Sequence, residues 1–463
     1  MTTAPTSSLT RRAVLIGSAA STMLAACATA PPATAFPPIV FVHGNGDTAA
    51  LWMTTLWRFE SNGWPRARLH AIDVPYPLAR DDDTKAQDGR SGTAENMQFL
   101  EAEVDAVLKA TGAAQVVLIA NSRGGNAVRN YIANGGGAAK VSHAILGGTP
   151  NHGVWADLKR APNSEFNGAG AFLTGLNAPR GPNGDEVTPG PKWLTIRSDN
   201  NDKYAQPDGV WIGARGTPTH VTFEGPALKG AENVVIAGID HRETAFSAKA
   251  FEAMHRFITG KAASSLVVLT EPRVVLDGKV SGYGVDNVTG TAPSNLPLVG
   301  ATVEIYAMDA ATGDRAGPAL HRKTIAADGR WGPFTADGNA RYEFVIAAPG
   351  YATTHIYRSP FARSSSIVHL RAERIAEADR NTAAVVTLTR PRGYFGLPRD
   401  RIVFDGQNPA PGIPPGTAGI SVSKLRLTDA APRVIAGEFN GERVVGRTWP
   451  AANNELVFLE LTD

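Results

Sequence analysis

Gln115-Val116-Val117-Leu118-Ile119-Ala120-Asn121-Ser122-Arg123-Gly124-Gly125-Asn126-Ala127-Val128 is the stretch on which the reading of this chain turns. Residues 115–120 form a short apolar, β-branched run with the character of a buried parallel strand. The pattern from Ala127 to Ala133 is helical. Between them, the pentapeptide Ala120-Asn121-Ser122-Arg123-Gly124 sets a serine on the joint with a small residue two positions to either side. Such a joint is tight, forces the serine into strained backbone geometry and aims its hydroxyl out of the sheet, which is what a nucleophile requires. Ala120 stands where glycine is the more permissive choice. Alone, the pentapeptide also describes a plain strand-to-helix turn with a surface serine, so the decision rests on the rest of the chain.

Working outward, Pro38-Ile39-Val40-Phe41-Val42 and Ala67 to Val74 read as two earlier strands. From Gly92 to Thr111, Met97, Leu100, Val104, Val107 and Leu108 recur at spacings of three and four, as an amphipathic helix requires. Val141 to Leu146, Lys192 to Arg197 and Ala231 to Ala237 add further strands, and Ala245 to Ile258 a closing amphipathic helix. Strand and helix in alternation predict a mostly parallel sheet with crossover helices. From His152 to Pro191 the pattern lapses into Gly, Pro and Asn around the apolar residues Phe166, Phe172, Leu173 and Leu176. An irregular stretch of that length inside a compact domain commonly serves as a lid or substrate-binding loop.

Three further segments bear on Ser122. Phe41-Val42-His43-Gly44-Asn45-Gly46 ends the first core strand. Gly238-Ile239-Asp240-His241 follows a late strand and precedes the closing helix. An imidazole titrates near operating pH, so His241 could take the serine proton and return it to a leaving group. The rival histidines are His220 and His255. The loop Ser198-Asp199-Asn200-Asn201-Asp202 lies after the strand Trp193 to Arg197 and offers carboxylates to orient an imidazole.

In this order the segments resemble the α/β-hydrolases, and bacterial triacylglycerol lipases in particular, over about residues 36 to 260. Gly147-Gly148-Thr149-Pro150-Asn151-His152-Gly153 adds to the likeness. The resemblance implies an α/β-hydrolase domain with Ser122 as nucleophile, His241 as base and an acid before the histidine strand. It also implies an oxyanion hole made of the Asn45 and Arg123 backbone N–H groups. Asp202 fits the family spacing of strand, small residue, two variable residues, acid; Asp199 is the alternative, and Asp208 lies further off. His43 is expected to support its loop.

Beyond Gly260 helix patterns almost vanish. Short alternating runs such as Ala301 to Tyr306 and Tyr342 to Ile346, separated by Gly, Asp and Asn turns, predict an all-β region with its seam near residue 262. Gly278 to Gly282, Pro297 to Val303, Asp328-Gly329-Arg330-Trp331 and Pro349-Gly350-Tyr351 resemble a prealbumin-like β-sandwich. The segment Ile356 to Arg363 resembles the C-terminal region of two-domain long-chain lipases. No residue after 262 has catalytic spacing, so no chemistry is expected of this half. The divisions expected are 1–26, 27–38, 39–262, 263–362 and 363–463.

The first of these reads as an export signal. Arg11-Arg12 precede an apolar stretch to Ala26 that is too short to span a bilayer comfortably. Thr10 to Leu15 resembles a twin-arginine signal, and Leu24-Ala25-Ala26-Cys27 a bacterial lipobox, in which the cysteine carries lipid and gives membrane attachment. Cys27 is the sole cysteine, which excludes intrachain disulfides and cysteine-based metal sites. Ala28 follows it, and the aspartate that resembles an inner-membrane retention signal is missing there. Residues 28–38 have the composition of a tether. The expectation is a periplasmic, outer-membrane or extracellular protein. Lys and Arg total 45 and Asp and Glu total 43, so charge points to no nucleic-acid partner, and neither cofactor nor metal is expected.

Together these readings predict an exported serine carboxylesterase or lipase. Its acyl groups would be hydrophobic, given Phe166, Phe172 and Leu173. A polyester depolymerase and an amidase use the same triad. A surface binding protein on an inactive hydrolase fold is the reading from another class.

Overall fold

The computed structural model describes residues 36–283 and 293–463, besides Met1. The stretch read as an export signal, Cys27 and the expected tether up to residue 35 lie outside the described residues, Met1 apart. Six strands, β1 (Ile39–Val42), β2 (Leu69–Ile72), β3 (Val116–Asn121), β4 (Val141–Gly147), β5 (Lys192–Ser198) and β6 (Glu232–Ile236), form one sheet in the order β2-β1-β3-β4-β5-β6. All neighbours run parallel.

Both faces of this sheet are covered, which is why its central strands read as apolar runs without alternation. Ile39, Phe41, Val117 and Ile119 face one core, with Phe59 of α1 (Met53–Ser61) and Phe251 and Met254 of the closing helix Ala248–Thr259. Val40, Val42, Leu118 and Ala120 face the other, with Leu100 and Val104 of α2 (Thr93–Thr111) and Val128 of α3 (Arg123–Asn134). Each fully buried aliphatic or aromatic side chain contributes about 1.5–3 kcal/mol. The chain leaves β1 toward β2 on one side and continues from β3 on the other, and a crevice for ligands opens beyond the strand ends at such a switch point.

Helix α1 has no counterpart among the elements predicted from sequence. Its buried residues Met53, Thr54, Thr55, Trp57 and Phe59 leave no single apolar stripe. The helix is wedged between two cores: Phe59 packs under the sheet, while Met53 and Trp57 belong to the core of the β-rich part. Trp57 Nε1 donates to Ser364 O at 3.0 Å, across the seam.

The β-rich part is built on a seven-stranded sheet. In spatial order its strands are His321–Thr324, Thr302–Met308, Arg341–Ala347, Thr353–Arg358, Glu455–Glu460, Ala384–Thr389 and Val422–Leu427. Glu455–Glu460 runs parallel to both its neighbours. Strands from either side of residue 362 therefore share one ladder, and the expected boundary at 362/363 falls inside a continuous sheet. Alternation marks the faces of a strand and says nothing of its partners.

Among the described residues no helix is long and apolar enough to cross a membrane.

Candidate active site

Ser122 sits at the joint of β3 and α3 with φ 54° and ψ −125°, a backbone conformation that costs a non-glycine residue about 1–3 kcal/mol. The joint is held by Ser122 N donating to Gly147 O at 2.8 Å and Gly125 N donating to Ser122 O at 2.9 Å. Gly124 must be glycine: a Cβ there would stand 2.6 Å from His43 O and 2.7 Å from Val42 O. The small residue of the motif thus lets α3 lie against the end of β1.

His241 is 2% exposed. Its Nδ1 lies 2.8 and 2.9 Å from the two carboxylate oxygens of Asp202, while its Nε2 is buried without a partner. With Nδ1–H given to the carboxylate, Nε2 keeps a free lone pair. Ser122 and His241 line the same cavity, of about 290 Å³. Asp202 is braced by Tyr204 N, which donates to Oδ1 at 2.8 Å, and the Tyr204 ring meets the imidazole edge-on at 4.7 Å. Asp199 points elsewhere. Its Oδ2 accepts from Gly238 N at 3.0 Å and its Oδ1 from Asn201 N at 3.1 Å, so it ties the two loops together without reaching the imidazole. Asp208 accepts from Val210 N. His220 is exposed, and His255 packs on Trp64 with Nδ1 near Lys261 O.

The loop carrying Asn45 closes over the serine: a Cβ on Gly44 would lie 2.9 Å from Ser122 Cβ. The Asn45 side chain is occupied, its Oδ1 accepting from Ala79 N at 2.7 Å, and the residue forms part of the cavity wall. The Arg123 N–H opens α3 and so has no acceptor within the helix. Arg123 is 3% exposed. Its guanidinium forks onto Glu165 at 2.6 and 2.8 Å and also donates to Pro77 O and to Ser91. Burial pushes the Glu165 carboxyl up, with Arg123 pulling the other way. His43 Nε2 accepts from Val74 N at 3.0 Å and its Nδ1 lies 2.9 Å from Gly44 O. That pairing fits a neutral ring, and burial lowers its pKa further. His43 props the Gly44-Asn45 turn.

One residue that the sequence did not single out joins these pieces. Asn121 Nδ2 lies 3.2 Å from Gly147 O and His241 O and 3.1 Å from Thr244 Oγ1, binding the serine joint to the histidine loop. The cavity walls are mixed. Val154, Trp155, Phe166 and Ile212 are apolar; Asp47, Arg160 and Arg242 are charged. Of the apolar trio expected to line the site, Phe166 does so, whereas Leu173 is fully buried and Phe172 is off the wall. Tyr394 comes from the β-rich part, so that half, from which no chemistry was expected, completes the cavity. Lys203 Nζ lies 3.9 Å over the Tyr394 ring and donates to Gly419 O at 3.0 Å. Burial, with Arg242 nearby, brings its pKa down to about 7. A serine on a strained joint and an imidazole held by a carboxylate, both at one cavity, suit acyl transfer.

Two family models match the chain. Residues 37–157 match the class 2 lipases and residues 272–375 match a lipase C-terminal domain. Among solved structures, similar ones include a Bacillus licheniformis lipase. Its mature form is 20% identical, over 48% of this chain and 92% of that one, with a TM-score of 0.35. Its propeptide form is 15% identical, over 90% and 93%, with a TM-score of 0.36. A phospholipase from Legionella pneumophila, in complex with thio-NAD, is 12% identical over 73% and 94%, with a TM-score of 0.34.

Proposed function

We propose that this chain, a carboxylic ester hydrolase of the lipase and esterase kind, cleaves hydrophobic esters through an acyl-enzyme formed on Ser122. The observation that carries the reading is the imidazole of His241, held at Nδ1 by Asp202 and without a partner at Nε2, in a residue that lines one cavity with Ser122. In the first step Ser122 Oγ bonds to the ester carbonyl carbon while Nε2 takes the hydroxyl proton, and the carbonyl oxygen becomes an oxyanion facing the Asn45 and Arg123 N–H groups. Collapse expels the alkoxide, which leaves as the alcohol with the proton from Nε2. Water then repeats the cycle on the acyl-enzyme and releases the acid. Phe166, Trp155, Val154 and Ile212 favour an apolar acyl or alkyl group, and Arg242, Asp47 and Arg160 favour a polar end beside it.

Hydrolysis of p-nitrophenyl esters of graded chain length, triglycerides and polyester film tests this reading, with Ser122→Ala as control. Turnover of medium-chain esters that vanishes in Ser122→Ala is expected; equal turnover by the variant would sink it. The N-terminal pattern supports export with Cys27 lipidated. On that reading the protein partitions with membranes and Cys27→Ala is recovered in the soluble fraction; equal partitioning of the two would refute the anchor.

A further inference from the structure

We propose that Arg390, in the β-rich part, is a positioning residue for His241, reaching across the seam to hold the loop that carries the imidazole. The proposal rests on His241 being the base.

Neighbouring residues of His241 on that loop are fastened to the segment 390–399. Asp240 is fully buried. Its Oδ1 accepts from Arg242 N at 2.7 Å and Glu243 N at 2.9 Å, capping the helical turn Glu243–Phe246 that follows the histidine. Its Oδ2 accepts from Arg390 Nη1 and from Tyr394 N, both at 2.7 Å. The second arm of the same guanidinium, Arg390 Nη2, reaches Glu243 Oε1 at 2.6 Å. The other oxygen of Glu243 accepts from Asp240 N at 2.6 Å and from Arg399 Nη1 at 2.8 Å. Arg242 Nη1 donates to Pro391 O at 2.9 Å.

Arg390 is itself fixed. Its Nε donates to Asp463 O at 2.9 Å and its guanidinium lies 4.4 Å from the Phe439 ring centre. Gly393 makes room for it, since a Cβ at that position would stand 2.3 Å from Nη1. A guanidinium can bridge two carboxylates in one fixed geometry, which an ammonium at the same place cannot. Asp240 and Glu243 flank His241-Arg242, so the fork sets the path of the backbone from which the imidazole projects. Arg242 on this loop and Tyr394 on the segment that holds it touch the cavity, but its apolar wall of Val154, Trp155, Phe166 and Ile212 comes from elsewhere, so a shift of the imidazole is read in turnover before it is read in binding.

The test compares full-length wild type, Arg390→Gln, Arg390→Lys, Asp240→Asn and the Arg390→Gln/Asp240→Asn pair. kcat and KM for p-nitrophenyl butyrate are measured well below each protein's Tm. Arg390→Gln is expected to lose about 10- to 100-fold in kcat with KM held within about twofold, the cost of a base displaced by a fraction of an ångström to one ångström. Arg390→Lys recovers part of the loss, and the double variant loses less than the product of the two single losses. A lowered Tm with wild-type kcat, a loss carried in KM, or a multiplicative double variant would each overturn the assignment. If Arg390→Gln does not fold, Arg390→Lys and Glu243→Gln carry the test: lowered kcat at constant KM supports the role, and wild-type kcat in both overturns it. Failure of the underlying reading shows separately, as Ser122→Ala with undiminished turnover.

Discussion

Exchanging the Asp202 carboxylate for an amide separates the two aspartates of the loop that follows β5. In Asp202→Asn, Oδ1 can still accept from Tyr204 N and stays 2.9 Å from His241 Nδ1, but an amide nitrogen now stands where the second oxygen lay at 2.8 Å. The amide N–H opposes Nδ1–H at the shorter contact and favours the tautomer with the proton on Nε2, in which that nitrogen can no longer act as base. The charge that stabilises a transient imidazolium is lost as well. Both effects together are worth about 10⁴-fold in kcat, or roughly 5.5 kcal/mol of activation free energy. In Asp199→Asn the main loss is the bond from Gly238 N at 3.0 Å, worth about 0.5–1.5 kcal/mol. Even if all of it appeared in the barrier, the rate would fall by no more than roughly tenfold. Steady-state kinetics on p-nitrophenyl butyrate, with far-UV circular dichroism to verify folding, give the comparison directly. Asp202→Asn retaining more than about a tenth of wild-type kcat, or Asp199→Asn matching its loss, would refute the argument.

Two further outcomes concern stability. Glu165→Gln leaves the buried Arg123 guanidinium without its counter-charge, and breaking such a pair from one side costs about 3–5 kcal/mol; urea unfolding showing a loss under 1 kcal/mol would contradict this. Lys203, with its pKa brought down to about 7 in the fold, is protonated in the unfolded chain and neutral in the folded one between pH 7 and 10.5. Stability therefore rises with pH across that window, and the penalty is fully present below pH 7. The Tm of Lys203→Met minus that of wild type should accordingly be constant below pH 7 and fall steadily toward pH 10; a difference flat in pH would dismiss the account.

The central sheet was legible because strands buried on both faces must be apolar throughout, as in Val116 to Ala120, and because α2 buries Leu100, Val104 and Val107 on one face and leaves the other to solvent. Helix α1 was not legible for the converse reason. Buried against both halves of the molecule, it carries Thr54, Thr55 and Trp57 where an exposed face would be polar. Ser122, Asp202 and His241 were marked by their positions after particular strands, which local pattern supplies. What local pattern cannot supply is pairing over distance. Arg390 meets Asp240 150 residues away along the chain, and Tyr394 enters the cavity only because its segment docks there. The strands of the β-rich part were recognisable one by one, yet their order in the sheet was hidden. Thr353 pairs with Glu455, and nothing near either residue says so.

The place of Glu455–Glu460 in the middle of the seven-stranded sheet bears on the order in which the molecule can assemble. As a nascent chain leaves the ribosome from its N-terminus, the sheet around Ser122 has all six strands once residue 236 has emerged. The larger β-sheet must wait for residue 460, with a strand-wide gap between Thr353–Arg358 and Ala384–Thr389 until then. Contacts so far apart in sequence close slowly. Because the segment bracing the His241 loop follows strand Ala384–Thr389 and is tied by Arg390 and Arg392 to residues 461–463, that bracing waits until those residues have emerged. The joint that carries Ser122 thus takes shape well before the grip on the His241 loop is complete.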